Sequence, residues 1–242
     1  MAENAFYRLG QITGVQFRKA KWMWQSVAGS EAEAIQAEQA VGRDMAAAVL
    51  EDTPRDVDQT TQALLDEVQG QLTPVVRNRL HRFRVTAINP DPPIAFALPG
   101  GFIFVARSLV HLCDRDRHEV AFVLAHEMAH VIRRHAIDRL LQQKVVSALA
   151  LASPARGALA SWIRQVGFQG LARAYSRDQE LEADELGLRL MRAAGFDPAG
   201  AIRLLQRLGR LEGTPDPLGL GPYLSTHPPV EDRVSRLRRL AG

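Results

Sequence analysis

The sequence predicts one mostly helical α+β domain with a small antiparallel sheet packed beside a buried helix. Three observations carry this. Two capping boxes, Ser30-Glu31-Ala32-Glu33 and Ser176-Arg177-Asp178-Gln179, open helical stretches in the two halves of the chain. Between residues 83 and 105 the apolar period drops to two, with Pro- and Gly-rich turns between the runs. After Arg107 the periodicity is helical almost throughout.

Taken in order, residues 4–30 hold no acid but carry Arg8, Arg18, Lys19 and Lys21 among Phe6, Tyr7, Phe17, Trp22 and Trp24. They read as a terminal arm whose aromatics pack on the core. The alternative is peripheral contact with an anionic membrane. Ser30 caps a helix to about Leu50, stopped near Pro54. Residues 1–55 are accordingly assigned to an N-terminal arm or wrap, and 56–242 to the main domain. A second helix is expected from about Asp56 to Leu80, with Gly70 and Pro74 as possible breaks. Phe83, Val85 and Ala87 alternate with Arg84 and Thr86 in a first strand. Ile94 to Leu98 follows as a second strand after the 89–93 turn, and Phe102 to Val105 as a third after Pro99-Gly100-Gly101. A long helical segment from about Asp116 to Ala152 is expected, in one piece or two. Ser176 starts a helix ending at Gly195, Asp197-Pro198 starts the next, and a last one runs from about Pro229 to Leu240.

Composition narrows the function classes. In 242 residues, 46% apolar and 24% charged is ordinary for a folded domain. A net charge of +3 is too small to argue for nucleic acid. A single cysteine, Cys113, excludes a disulfide framework and a cysteine-rich metal cluster. The longest apolar run, Val145 to Ala152, is far short of the roughly 20 residues of a membrane span. With no secretory signal visible, cytoplasmic localisation is the expectation, with a peripheral membrane position as the alternative.

The chemistry lies in His126-Glu127-Met128-Ala129-His130, an H-E-x-x-H pattern. On a helix, positions i and i+4 share a face, so His126 and His130 can grip one zinc ion. Glu127 projects to the side, where it can take a proton from a zinc-bound water. The apolar lead-in Val120 to Ala125 implies burial, and burying two His and a Glu without a shared task is costly. A third ligand is still needed. Position 133 is Arg and position 136 is Ala, so the extended H-E-x-x-H-x-x-G-x-x-H form is absent. His135 falls at a different helical angle and is expected at the surface or a helix end. Glu180 and Asp184 share a helix face. Glu180 is expected on the metal, with Asp184 behind it accepting a proton from a ligand His. His227, in Ser225-Thr226-His227-Pro228, has three readings: a donor to the developing oxyanion, a fourth zinc ligand that silences the site, or a helix-flanking residue with no catalytic role. Arg233, six residues on, can anchor that loop to an acid.

With these motifs in hand, the chain resembles the gluzincin peptidases of the HtpX, BepA and CAAX prenyl protease type. The resemblance rests on four stretches in order: Ala95 to Val105, Leu124 to His130, Tyr175 to Asp184 and Ser225 to Pro228. It implies a zincin-like fold and one Zn2+ per chain. It implies His126, His130 and Glu180 as ligands, Glu127 as general base, Asp184 behind the ligands and His227 at the transition state or the metal. It also implies an active-site edge strand at Phe96, Ala97, Leu98, Gly100 and Gly101, or at its neighbour Phe102 to Val105. An extended, unfolded polypeptide segment is the implied substrate, added to that edge by main-chain hydrogen bonds. The implied activity is a zinc endopeptidase. The competing reading is a proteolytically latent, metal-stabilised chaperone or adaptor. Ile94 stands where the family usually has Asn, which alters the local anchoring of the strand and leaves the metal motifs intact.

Overall fold

Ser30 opens the first helix as its capping box predicts. Its side chain accepts from the Glu33 amide, while the Glu33 carboxylate takes the Ser30 amide at 3.0 Å. The computed structural model describes residues 30–53, 55–89, 93–142, 175–211 and 229–241. The basic aromatic segment up to residue 29, the Val145–Ala152 run and the loop carrying His227 lie outside the described residues.

Helix α1 (Glu31–Asp52) sinks Met45 and Val49 into the same core as the rest of the domain. It lies so close to the turn Pro99–Gly101 that a Cβ on Gly42 would sit 1.7 Å from the Pro99 carbonyl oxygen. Backbone cannot yield as a flexible side chain would. Gly42→Ala is therefore expected to cost about 3 kcal/mol or more, the upper end for overpacking, measured by denaturant unfolding.

Helix α2 (Gln59–Leu72) stops well before Leu80. Pro74 lacks an N–H and sits in the 3-10 turn Thr73–Val75 that ends the helix, whereas Gly70 is accommodated without a break.

The sheet departs from the expected antiparallel arrangement. Strands β1 (Arg84–Ile88), β2 (Ala95–Leu98) and β3 (Phe102–Ala106) are ordered β1-β3-β2. β2 and β3 are antiparallel, from Ala95↔Val105 to Leu98↔Phe102, but β1 runs parallel to β3, from Arg84↔Phe102 to Ile88↔Ala106. The sheet is therefore mixed. The physical reason lies in the connections. Only Pro99–Gly101 is tight enough for a hairpin. β2 lies on the far side of β3 from β1, and β3 pairs antiparallel with β2, so β3 runs in the direction of β1.

The outer edge of β1 is covered. Gln62 on α2 accepts from the Ala87 amide (2.8 Å) and donates to the Val85 carbonyl (3.1 Å); Gln69 accepts from the Val85 amide (3.1 Å). These side chains stand in for a missing strand. The other edge of the sheet is β2.

After the short helix α3 (Arg107–Leu112) comes α4 (Arg117–Ile132), which is buried without interruption from Glu119 to Val131. A helix apolar on nearly all sides belongs at the centre of a domain. α2, β2, α6 (Arg177–Ala193) and α7 (Ala199–Gly209) pack around it. Glu119, just before the apolar lead, is held by Arg207 on α7 at 3.2 and 3.3 Å. Helices α5 (His135–Gln142) and α8 (Val230–Ala241) are the other two among the described residues. No helix among the described residues is long and apolar enough to cross a membrane.

Candidate metal centre

His126 and His130 lie one turn apart on α4, as their spacing requires, and both are buried. Glu180 and Asp184 share the face of α6 turned toward them. Gly187 lies farther along that face, where an added Cβ would come 3.1 Å from the His126 amide nitrogen. The missing side chain lets the two helices approach closely enough for carboxylates on one to reach imidazoles on the other.

His126 Nε2 and His130 Nε2 are 3.0 Å apart; Glu180 Oε2 is 3.5 Å from the first and Glu180 Oε1 3.6 Å from the second. One ligand atom from each residue falls within 4.8 Å of the others. Tetrahedral ligands held at about 2.0–2.1 Å from zinc are about 3.3 Å apart along each edge, so this triangle has the right size. Two imidazole nitrogens and a carboxylate oxygen also suit zinc chemically. The residues fit the ion.

Asp184 fixes the first ligand. Its Oδ1 lies 3.0 Å from His126 Nδ1, and Arg233 on α8 clamps the same carboxylate through Nε and Nη2, both at 2.7 Å. With the His126 proton on Nδ1, its Nε2 lone pair faces the metal position. Burial opposes a charged His126 ring, but hydrogen bonds and charge from Asp184 and Glu180 outweigh it and raise its pKa to about 10. Burial likewise pushes Asp184 up, but Arg233 and His126 more than reverse this and hold it well below the usual carboxylate range. The pocket thus favours added positive charge, supplied by a proton or a metal ion.

The peptidase family M48 model matches residues 56–241. The chain belongs to peptidase family M48. Among its curated relatives, the mitochondrial metalloendopeptidase OMA1 of Schizosaccharomyces pombe is 33% identical over 158 residues, covering 64% of this chain and 46% of the relative. The Saccharomyces cerevisiae OMA1 is 35% identical over 165 residues, covering 65% and 47%. The β-barrel assembly-enhancing protease of Escherichia coli K12 is 30% identical over 175 residues, covering 66% and 34%. The chain therefore spans less than half the length of these relatives.

Within this M48 fold, Glu127 is buried beside His126 on α4. Both line a small cavity of about 30 Å3, together with Ala95, Val123, Leu204 and Arg233. Of the two candidate edge strands, β2 is the outer one and β3 is central. Phe96, Ala97 and Leu98 belong to β2. Gly100 and Gly101 lie past its end, in a buried turn at φ 74° and 91°. They shape the hairpin and are not part of the edge itself. His227 lies outside the described residues. Arg233 does bind an acid, and that acid is Asp184.

His135 takes the expected helix end but not the surface, and the sequence assigns Tyr175 no role of its own. His135 begins α5 but is buried, with Nδ1 2.9 Å from His130 Nδ1. The Tyr175 ring stacks on His130 at a centroid distance of 3.9 Å. His135 would turn away from His130 on a continuous helix. Instead α4 ends at Ile132, and Arg134 takes a left-handed conformation (φ 62°) that folds His135 back. Arginine is not a residue that signals such a turn.

Proposed function

We propose that this chain is a zinc-dependent endopeptidase that hydrolyses internal peptide bonds in unfolded or flexible protein segments. The observation that carries the reading is the convergence of His126, His130 and Glu180, with Glu127 one position from a ligand on the same buried helix. The curated relatives named as metalloendopeptidases support the same reading.

When bound, zinc supplies a Lewis acid for the scissile carbonyl and lowers the pKa of water. His126 and His130 hold neutral nitrogens toward the ion, and Asp184 keeps the His126 proton on the far side of the ring. Glu127 takes the proton of the attacking water and delivers it to the leaving amine. His227 stabilises the developing oxyanion.

Substrate docking is assigned to β2. The Ala106 amide donates to the Ile94 carbonyl at 2.8 Å, which sets the phase of the ladder. By alternation, Ala95 and Ala97 turn their N–H and C=O groups away from β3. An extended segment can pair with those groups in any sequence, and an unfolded or flexible chain presents such segments most readily.

The test is metal removal and return. The chain should cleave a reduced, unfolded protein, lose that activity in a chelator and regain it on adding Zn2+. Cleavage that persists after zinc has been stripped to background would reject the proposal.

A further inference from the structure

Behind the second candidate ligand, His130, stands an imidazole where His126 has the Asp184 carboxylate. His130 Nδ1 meets His135 Nδ1 at 2.9 Å, and both rings are buried. On its other side, His135 Nε2 lies 3.4 Å from Glu182 Oε2, and Glu182 is also held by Arg133 Nε at 2.9 Å. Glu182 is two residues from the ligand Glu180 on α6, so a single helix supplies the third ligand and the outermost member of this chain of contacts.

Two imidazole nitrogens at hydrogen-bond distance cannot both carry a proton, and cannot both lack one, without losing the bond. The metal side settles which one does. His130 must offer a lone pair at Nε2, so its proton sits on Nδ1 and is donated to His135. His135 Nδ1 is then the acceptor, and the His135 proton is left on Nε2, facing the Glu182 carboxylate. One arrangement satisfies every group.

We infer that His135, oriented by Glu182, is a positioning residue that fixes the tautomer and ring angle of the metal ligand His130. The inference rests on the metal-site reading above. The left-handed turn at Arg134 brings His135 into place, and the Arg134 side chain is tied to the buried Glu38 of α1 at 2.6 Å. The first helix of the domain therefore helps set the geometry of the second ligand through this turn.

The test measures zinc affinity, by competition with a chromophoric chelator, for the wild-type chain and for His135→Phe, His135→Asn and Glu182→Leu. Phenylalanine keeps the ring volume and removes the acceptor, so affinity should fall about 10- to 100-fold. Asparagine places a carbonyl oxygen close to the lost Nδ1 and should recover most of that loss. Glu182→Leu should weaken zinc binding in the same direction by a smaller factor. Wild-type affinity in a folded His135→Phe chain would overturn the inference, and so would an Asn variant as weak as the Phe one. Failure of the wild-type chain itself to bind zinc would overturn the metal reading along with it. A second measurement needs no substitution: nitrogen-15 spectra of the zinc-loaded wild type should show His130 protonated at Nδ1 and His135 at Nε2. The opposite tautomer at His135 would overturn the assignment.

Discussion

Glu127→Gln is expected to lower cleavage of an unfolded protein by about 10²- to 10⁴-fold, the usual contribution of a positioned general base. Zinc content should not change. Glutamine keeps the size and much of the polarity of glutamate but cannot accept and pass on a proton at neutral pH. Glu127 is not one of the three converging ligand residues, so the ion has no reason to leave. Measuring cleavage and bound zinc on the same preparation separates loss of the base from loss of the site. Zinc-dependent cleavage at the wild-type rate would remove Glu127 from the chemistry. Absence of cleavage by both proteins, with equal suppression of aggregation, would favour the chaperone or adaptor reading.

Arg233→Leu is expected to be the most destabilising change near the centre, about 3–5 kcal/mol. Asp184 and Arg233 are both buried, and the guanidinium clamps the carboxylate through two 2.7 Å bonds. Removing it leaves a buried carboxylate with the His126 imidazole as its remaining hydrogen-bond partner among the described residues. It also detaches α8 from the residue that orients the first zinc ligand. The pH dependence should change as well. The folded-state pKa of Asp184 is depressed, so its contribution to stability is present above the ordinary carboxylate value of about 4 and is lost as pH falls toward the folded value. In Arg233→Leu that acid-side loss should be shallower. Denaturant unfolding of the zinc-free chains, at neutral and acid pH, checks both parts. A loss below about 1 kcal/mol at neutral pH would mean that the pair behaves like an exposed ion pair.

The legible parts of this protein share a property: each is written in a short stretch of sequence. The capping boxes at Ser30 and Ser176 appear in the structure with both reciprocal hydrogen bonds. The i, i+4 spacing of His126 and His130 places both imidazoles on one helix face, and the same spacing places Glu180 and Asp184 together on another. The alternating run before Asn89 becomes β1. The end of α2 at Leu72 is local too: of the two possible breaks, Pro74 ends the helix and Gly70 does not. The parallel pairing of β1 with β3 is not local, because it depends on β2 lying on the far side of β3 from β1.

The sequence by itself determined the candidate donor set His126, His130 and Glu180, the helices that carry it and the place of Glu127 beside it, because those depend on residue type and helical period. Tertiary structure alone decided what stands behind each ligand. Asp184 meets His126 because Gly187 lets two helices approach. His135 meets His130 because a left-handed arginine, tied to Glu38 on a helix 96 residues away in the chain, turns the backbone where no local signal marks a turn. Contacts of that kind are set by packing between distant segments, and no window of sequence contains both partners.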